Sequence, residues 1–477
     1  MVPGTEGLHC LALTREARQP GAVGGWIAYT EWIMMDRRGF MQVAAGVTGL
    51  AAVERPNVLL IITDQQTHNA MSCAANPWLK TPALDSLAER GTRFSAAYCT
   101  YPVCSPSRGS IFTGRMPHET GVRLNGQAVR EGVPTLGELF RNAGYETVYG
   151  GKWHLPRGFD GMTGFTRLIG GHALGEKMDR PLADASAAWL RGKPKQPFLH
   201  VASFMNPHDV CYWIRAHPGS RQHADPDRYP PAPGNMAVDP LEPEAIQFHR
   251  RTGYDAMSQA VGIALSWRRD DIRHYIHDYY RTVEEVDRCT GQVLAALREA
   301  DLERNTIVAF ISDHGEGLGG HLWAQKASFY EESARIPMIL AGPGIRAGRT
   351  EYTTLASLAD LVPTFCDYAG IAIPGDVRGV SLRPVLEGGG PIRRAFVAGE
   401  LIYQDQTREG RMIRTARHKY VVFNGGARPE QLFDLETDPG EVLNLAARPE
   451  GQAELDRHRA ILRAWIRETA DDFKMPV

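Results

Sequence analysis

Asp64-Gln65 and Asp313-His314 each follow a short apolar run, and together they offer carboxylates, an amide oxygen and one imidazole. Hard divalent cations favour such oxygen-rich sets, so calcium or magnesium fits better than zinc, and manganese tolerates the imidazole. A single aspartate after a strand most often caps the next turn. Two such pairs behind two similar runs point instead to a shared metal centre. Between them lies Tyr101-Pro102-Val103-Cys104-Ser105-Pro106-Ser107-Arg108-Gly109. The pattern predicts a helix from Cys104 through Thr113, with Pro106 in the first turn, where its missing N–H costs little. Cys104 would then face backbone N–H groups that favour an anion, and Arg108, four residues on, would share its face. A thiolate there would be nucleophilic, yet it is a poor ligand for a hard cation. That mismatch argues that Cys104 does not work as a thiol.

Four predicted strands position these groups: Val58 to Ile62, Thr147 to Tyr149, Phe198 to Phe204 and Thr306 to Ile311. The first leads into Asp64-Gln65, the second into Lys152 and His154, the third into Asn206-Pro207-His208-Asp209, the fourth into Asp313-His314. Open α/β sheets bind ligands at the carboxyl edge of their strands, so four such clusters imply a site. Amphipathic segments such as Val283 to Ala300 alternate with the strands, which gives an α/β class with a mostly parallel sheet. Residues 215–245 carry Pro, Arg, His and Asp without apolar periodicity and read as a long surface excursion. Near residue 372 the character changes. Ala395 to Gly399, Arg411 to Thr415 and Lys419 to Phe423 read as short antiparallel strands, and Glu450 to Phe473 as a closing helix. The expected division is therefore a catalytic domain over 55–372 and a smaller α+β subdomain over 373–477.

The 477 residues are 43% hydrophobic and 23% charged, with a formal net charge of -2, so no overall basic field recruits nucleic acid or anionic membrane. Seven cysteines without a CxxC pair argue against a structural zinc site, and Cys73, Cys99, Cys211, Cys289 and Cys366 read as buried apolar residues. Asp36-Arg37-Arg38-Gly39-Phe40-Met41, followed by the apolar run Val43 to Val53, has the form of a twin-arginine export signal over 35–54. That run is too short to span a bilayer. Such signals begin near the initiator, a place Met35 occupies, so residues 1–34 are expected to be a misassigned or disordered extension. A periplasmic or extracellular location follows.

Cys104-Ser105-Pro106-Ser107-Arg108 matches the C-x-P-S-R signature, and the chain resembles the formylglycine-dependent sulfatases of the alkaline-phosphatase-like superfamily. The likeness extends to Pro56 through Gln65, to Gly150-Gly151-Lys152-Trp153-His154-Leu155, to Ser312 through Glu316, to His321-Leu322-Trp323 with Lys326, and to Leu432 through Glu441. It implies an alkaline-phosphatase-like core and a metal held by Asp64, Gln65, Asp313, His314 and the modified Cys104. It implies that a maturation enzyme oxidises Cys104 to formylglycine, whose hydrate attacks sulfur and forms a covalent sulfo-enzyme. Arg108 and Lys152 would orient the hydrate, His154 would take its proton, and His208 and Lys326 would bind sulfate and protonate the leaving group. Gln65 and His314 stand where many members carry aspartate and asparagine, which weakens the case for calcium in particular. Asn206 to Trp213 resembles sulfatases that act on uronate 2-sulfate in glycosaminoglycans, and the expected substrate is a sulfated glycan or oligosaccharide. The rivals are a phosphonate or phosphate ester hydrolase on the same scaffold and an inactive protein that binds sulfated glycans. His68, His172, His321, Tyr212, Trp213 and Arg215 are weaker candidates for the pocket.

Overall fold

The computed structural model describes residues 10–16, 28–34, 55–155, 164–171, 173–217, 226–252, 261–392, 394–403 and 405–476. Cys10–Glu16 (β1) pairs antiparallel with Ala28–Met34 (β2) in a unit of its own, Met1–Glu54. The twin-arginine segment lies outside the described residues. Arg55–Val477 forms the second unit.

That unit is built on Asn57–Asp64 (β3), Gly91–Phe94 (β4), Ala97–Tyr98 (β5), Glu146–Gly151 (β6), Thr166–Gly170 (β7) and Phe198–Pro207 (β8). Thr306–Ser312 (β9), Met338–Ala341 (β10), Arg349–Glu351 (β11) and Ala356–Ser357 (β12) follow. Eight of them form one sheet in the order β11-β4-β10-β9-β3-β8-β6-β7, while β5 pairs with β12 outside it. All its pairs are parallel except those of β10 with β4 and β9. The four strands read from sequence are β3, β6, β8 and β9, and they lie side by side in the middle.

Both faces of these strands are covered, which is why they read as unbroken apolar runs. Val58, Leu60 and Ile62 join one core with Ile111, Phe112 and Phe365, whereas Leu59 and Ile61 join another with Leu182, Val293 and Leu297. Each fully buried Val, Leu or Ile contributes about 1.5–3 kcal/mol. The helix predicted from Val283 starts earlier and spans Arg269–Glu299. Its first turns bury Tyr275, Tyr279 and Tyr280 beside Ile272 and Ile276, among charged residues that break up the apolar pattern.

Phe396–Ile402 (β13), Glu409–Thr415 (β14), His418–Phe423 (β15) and Glu430–Asp434 (β16) form an antiparallel sheet in chain order. One face packs on the helix Gln452–Thr469 through Ile413, Tyr420, Leu432, Leu462 and Trp465. The other face presents Val397, Leu401, Met412 and Phe423 to Tyr98, Tyr101, Trp323 and Phe329. Those four residues flank Cys104 and Lys326, so the C-terminal sheet braces two segments of the site. Among the described residues no helix is long and apolar enough to cross a membrane.

Candidate active site

β3 slips register against β8 between Ile62 and Asp64, and the next residue, Gln65, turns away at φ 74°. β9 ends one residue before Asp313, whose N–H donates to Thr63 O at 3.2 Å. Adjacent strands thus deliver Asp64, Gln65, Asp313 and His314 to one place. β6 ends at Gly151 with φ 93°, where a Cβ would lie 1.9 Å from Ser203 O, so only glycine lets the chain turn here to present Lys152.

Cys104 opens the helix Cys104–Thr113, as its sequence predicts. Its Sγ lies 3.2 Å from His314 Nε2, 3.4 Å from Lys326 Nζ, 3.7 Å from Asp64 Oδ1 and 3.8 Å from Lys152 Nζ. The ligand atoms of Asp64, Cys104, Asp313 and His314 all fall within 4.8 Å of one another, and all four residues are wholly buried. Arg108 ties the set together. Its Nε donates to Asp313 Oδ2 at 2.9 Å, NH2 to Asp64 Oδ2 at 3.0 Å, and NH1 to Lys152 O at 2.7 Å and Ser203 Oγ at 2.9 Å. Lys152 Nζ stands 2.7 Å from Asp64 Oδ2. His314 Nδ1 is tied to Gly315 O at 2.9 Å, which leaves Nε2 facing the centre.

Charge explains what this packing does. Burial and Asp64 would raise the Cys104 thiol, yet Lys152, Lys326 and His314 outweigh them and hold it well below its ordinary range. Burial instead pushes Cys73, Cys289 and Cys366 up to about 12, the behaviour of inert thiols. Cys73 is half-buried and the other cysteines of that group are buried, all of them free thiols. Burial would also raise Asp64, but Lys152 and Arg108 hold it low; burial and the charge of Asp64 force Asp313 upward. Two buried carboxylates that oppose each other need positive charge between them, and with the Gln65 oxygen and His314 they fit a hard divalent cation.

His208 is buried, and burial followed by Lys152 and Lys326 keeps its imidazole well below the ordinary histidine range. Its Nδ1 has no hydrogen-bond partner among the described residues. His154 is half-buried at φ 56°, and its carbonyl accepts the Ser105 hydroxyl at 2.5 Å, beside the Cys104 helix. Of the weaker candidates, His321 is a core residue stacked on Tyr330 at 3.7 Å, and Trp213 packs with His217 and Tyr275. His172 lies outside the described residues.

Several supporting residues escaped sequence reasoning. Asp179 accepts the Met205 N–H at 2.7 Å and the Asn206 N–H at 3.0 Å, fixing the turn that carries His208. Tyr279 donates its hydroxyl to Gln65 O at 2.8 Å. Glu316 accepts from Gln65 Nε2 at 2.5 Å. Glu316 stood inside a recognised motif, but nothing in the order of residues tells which distant group it meets.

The sulfatase profile matches residues 56–371, and that of the N-sulphoglucosamine sulphohydrolase C-terminal region matches residues 319–464. This chain belongs to the sulfatase family. It is a sulfuric ester hydrolase with the expected mixed, mostly parallel α/β core and C-terminal antiparallel sheet. The Delta 4,5-hexuronate-2-O-sulfatase of Bacteroides thetaiotaomicron is 35% identical over 450 residues, covering 89% of this sulfatase and 91% of the relative. A solved 2-O GAG sulfatase superimposes with a TM-score of 0.81 at 33% identity, over 88% of this chain and 94% of that one. The phosphonate monoester hydrolase of Agrobacterium radiobacter does so with a TM-score of 0.73 at 25% identity, over 87% and 96%.

Proposed function

We propose that this sulfatase removes the 2-O-sulfate from an unsaturated hexuronate of a glycosaminoglycan fragment, with Cys104 oxidised to formylglycine. The observation that carries the chemistry is Cys104 itself: a wholly buried helix-start residue set among His314, Lys326, Asp64 and Lys152 at 3.2–3.8 Å. The substrate rests on the hexuronate-2-O-sulfatase relative, whose likeness runs through nearly the whole of both chains. Asp64, Gln65, Asp313 and His314 would hold the divalent metal, which when bound would acidify a hydroxyl of the hydrated aldehyde and polarise the sulfate ester.

The remaining roles belong to the chain's own groups. Arg108 fixes Asp64 and Asp313 by two nitrogens and holds the Lys152 carbonyl with the third, so it orients the centre as a rigid fork. Lys152 and Lys326 offset the charge that grows on the sulfuryl oxygens. An incoming sulfate weakens the field of both lysines on His208, so this imidazole gains a proton in the presence of substrate and can pass it to the leaving oxygen. His154 accepts the proton that the hydrate releases when the aldehyde is restored.

The first test is the mass of the tryptic peptide Phe94 to Arg108 from protein made in a host that matures sulfatases. An unmodified thiol there would remove the formylglycine mechanism. Hydrolysis is then compared as sulfate release from an unsaturated 2-sulfated disaccharide and a 6-sulfated glucosamine, and as alcohol release from a phosphonate monoester. Preference for the phosphonate would move the enzyme to the rival ester class, and activity on none would favour a binding protein. Export by the twin-arginine segment around Arg37-Arg38, with translation starting near Met35, belongs to the same proposal; N-terminal sequencing that recovers residues 1–34 in the exported protein would end the reading of those residues as a misassigned start.

A further inference from the structure

Gln65 differs from the other donors in having two faces. Its amide oxygen can meet a cation and its NH2 group cannot, yet the two are nearly the same size. Both ends are held. Gln65 Nε2 donates to Glu316 Oε2 at 2.5 Å, and Gln65 Oε1 accepts from Lys326 Nζ at 3.0 Å. A carboxylate only accepts and an ammonium only donates, so a flipped amide would oppose oxygen to oxygen and hydrogen to hydrogen. Glu316 is itself fixed. Its Oε1 accepts from the Tyr275 hydroxyl, the Gln325 N–H and the Gly317 N–H, which leaves Oε2 for Gln65. Gln65, Glu316 and Tyr275 have no exposed surface, so water offers no substitute partner. Lys326 also donates to Cys104 Sγ at 3.4 Å, and its three N–H groups allow it to hold both partners at once.

We propose that Glu316 is a positioning residue that keeps the Gln65 amide oxygen, and not its NH2 group, turned to the metal. This rests on Gln65 being a metal ligand, as proposed above. Replacing Glu316 by Gln leaves the side-chain oxygen to Tyr275, Gln325 and Gly317 and turns an NH2 group toward Gln65, which favours the flipped Gln65 amide with its own NH2 group toward Lys326 and the metal. The swapped pair Q65E/E316Q keeps the net charge and a donor–acceptor contact, and its residue 65 presents oxygen in every orientation.

The test is calcium binding by calorimetry on the full chain after chelator treatment, for wild type, Q65A, E316Q and Q65E/E316Q. E316Q is expected to weaken binding about tenfold or more, the usual effect of losing a ligand's orienting partner. The swap is expected to return the Kd to within about threefold of wild type, whereas loss of a merely structural Glu316 would persist in the swap. Wild-type affinity in E316Q overturns the proposal while leaving Gln65 as a ligand. Wild-type affinity in Q65A overturns the ligand reading and the proposal with it. Should E316Q not fold, the swapped protein decides alone: affinity near wild type supports the proposal, and a tenfold loss overturns it.

Discussion

Arg108 shows what a single side chain carries in this site. Its guanidinium meets both carboxylates, the Lys152 carbonyl and the Ser203 hydroxyl within 3.0 Å, all without exposed surface. Lysine keeps the charge and loses the fork. R108K is therefore expected to fold, to keep most of its apparent affinity for substrate and to lose about a hundredfold in kcat, since small misplacements of reacting groups cost that much. Steady-state rates on a sulfate monoester, beside a thermal melt, check this. His208 makes a second case at the same scale. H208A is expected to lower kcat by about 10²- to 10⁴-fold, as removal of a general acid does. The loss should shrink for an aryl sulfate whose leaving group needs no proton; an equal loss on both substrates would remove the acid role.

At the scale of elements, the legible part of the fold was its middle. Val58 to Ile62 and Thr306 to Ile311 are apolar on both faces, so no register or partner had to be known to read them as strands. β4 and β10 are only four residues each, and β11 three, too short for any periodicity to show. The same limit governs the site. Cys104, Lys152 and His314 could be found because chemistry and motif mark them. Glu316, Tyr275 and Asp179 act through partners on other elements, and Tyr275 was further disguised as one more ring on a buried helix face. The C-terminal sheet shows a related effect, since its inward face exists to hold loops from the main domain. Tyr101, three residues before Cys104, donates its hydroxyl to Ile402 O at 3.2 Å and accepts from Ile402 N–H at 2.6 Å. Y101F leaves that N–H without an acceptor and should cost about 1–3 kcal/mol, read by urea unfolding. No change in midpoint would show that the sheet is held there by packing alone.

For the whole molecule, acid sensitivity follows from histidines buried in neutral form. Burial holds His200 and His321 at about 3 and His249 at about 4. In the unfolded chain each takes up a proton near its ordinary value, so their contribution is complete above about pH 6.5 and is lost as pH falls toward the folded values. His200, on β8 against Trp189, is the cleanest probe, being remote from the metal donors in function and wholly buried. H200F should lose less stability between pH 7 and 4.5 than wild type, by up to about 2–3 kcal/mol. Unfolding curves at the two pH values that stay parallel for both proteins would show that His200 does not set the acid limit.

If a maturation enzyme oxidises Cys104, as proposed, the complete burial of this residue also fixes an order of events in the life of the chain. An enzyme that oxidises this thiol cannot reach it once β3 and β9 have closed over the helix start. Those strands pair residues about 250 apart, as Asn57 with Thr306, so closure waits until the later strand has been made. At 5–20 residues per second, that leaves roughly ten to forty seconds after Cys104 is synthesised. Maturation would then be a race against folding, won on the nascent chain. Folded protein carrying an intact Cys104 should stay unmodified when the enzyme is added, while the free peptide Phe94 to Arg108 is converted; conversion of both would mean that the site opens.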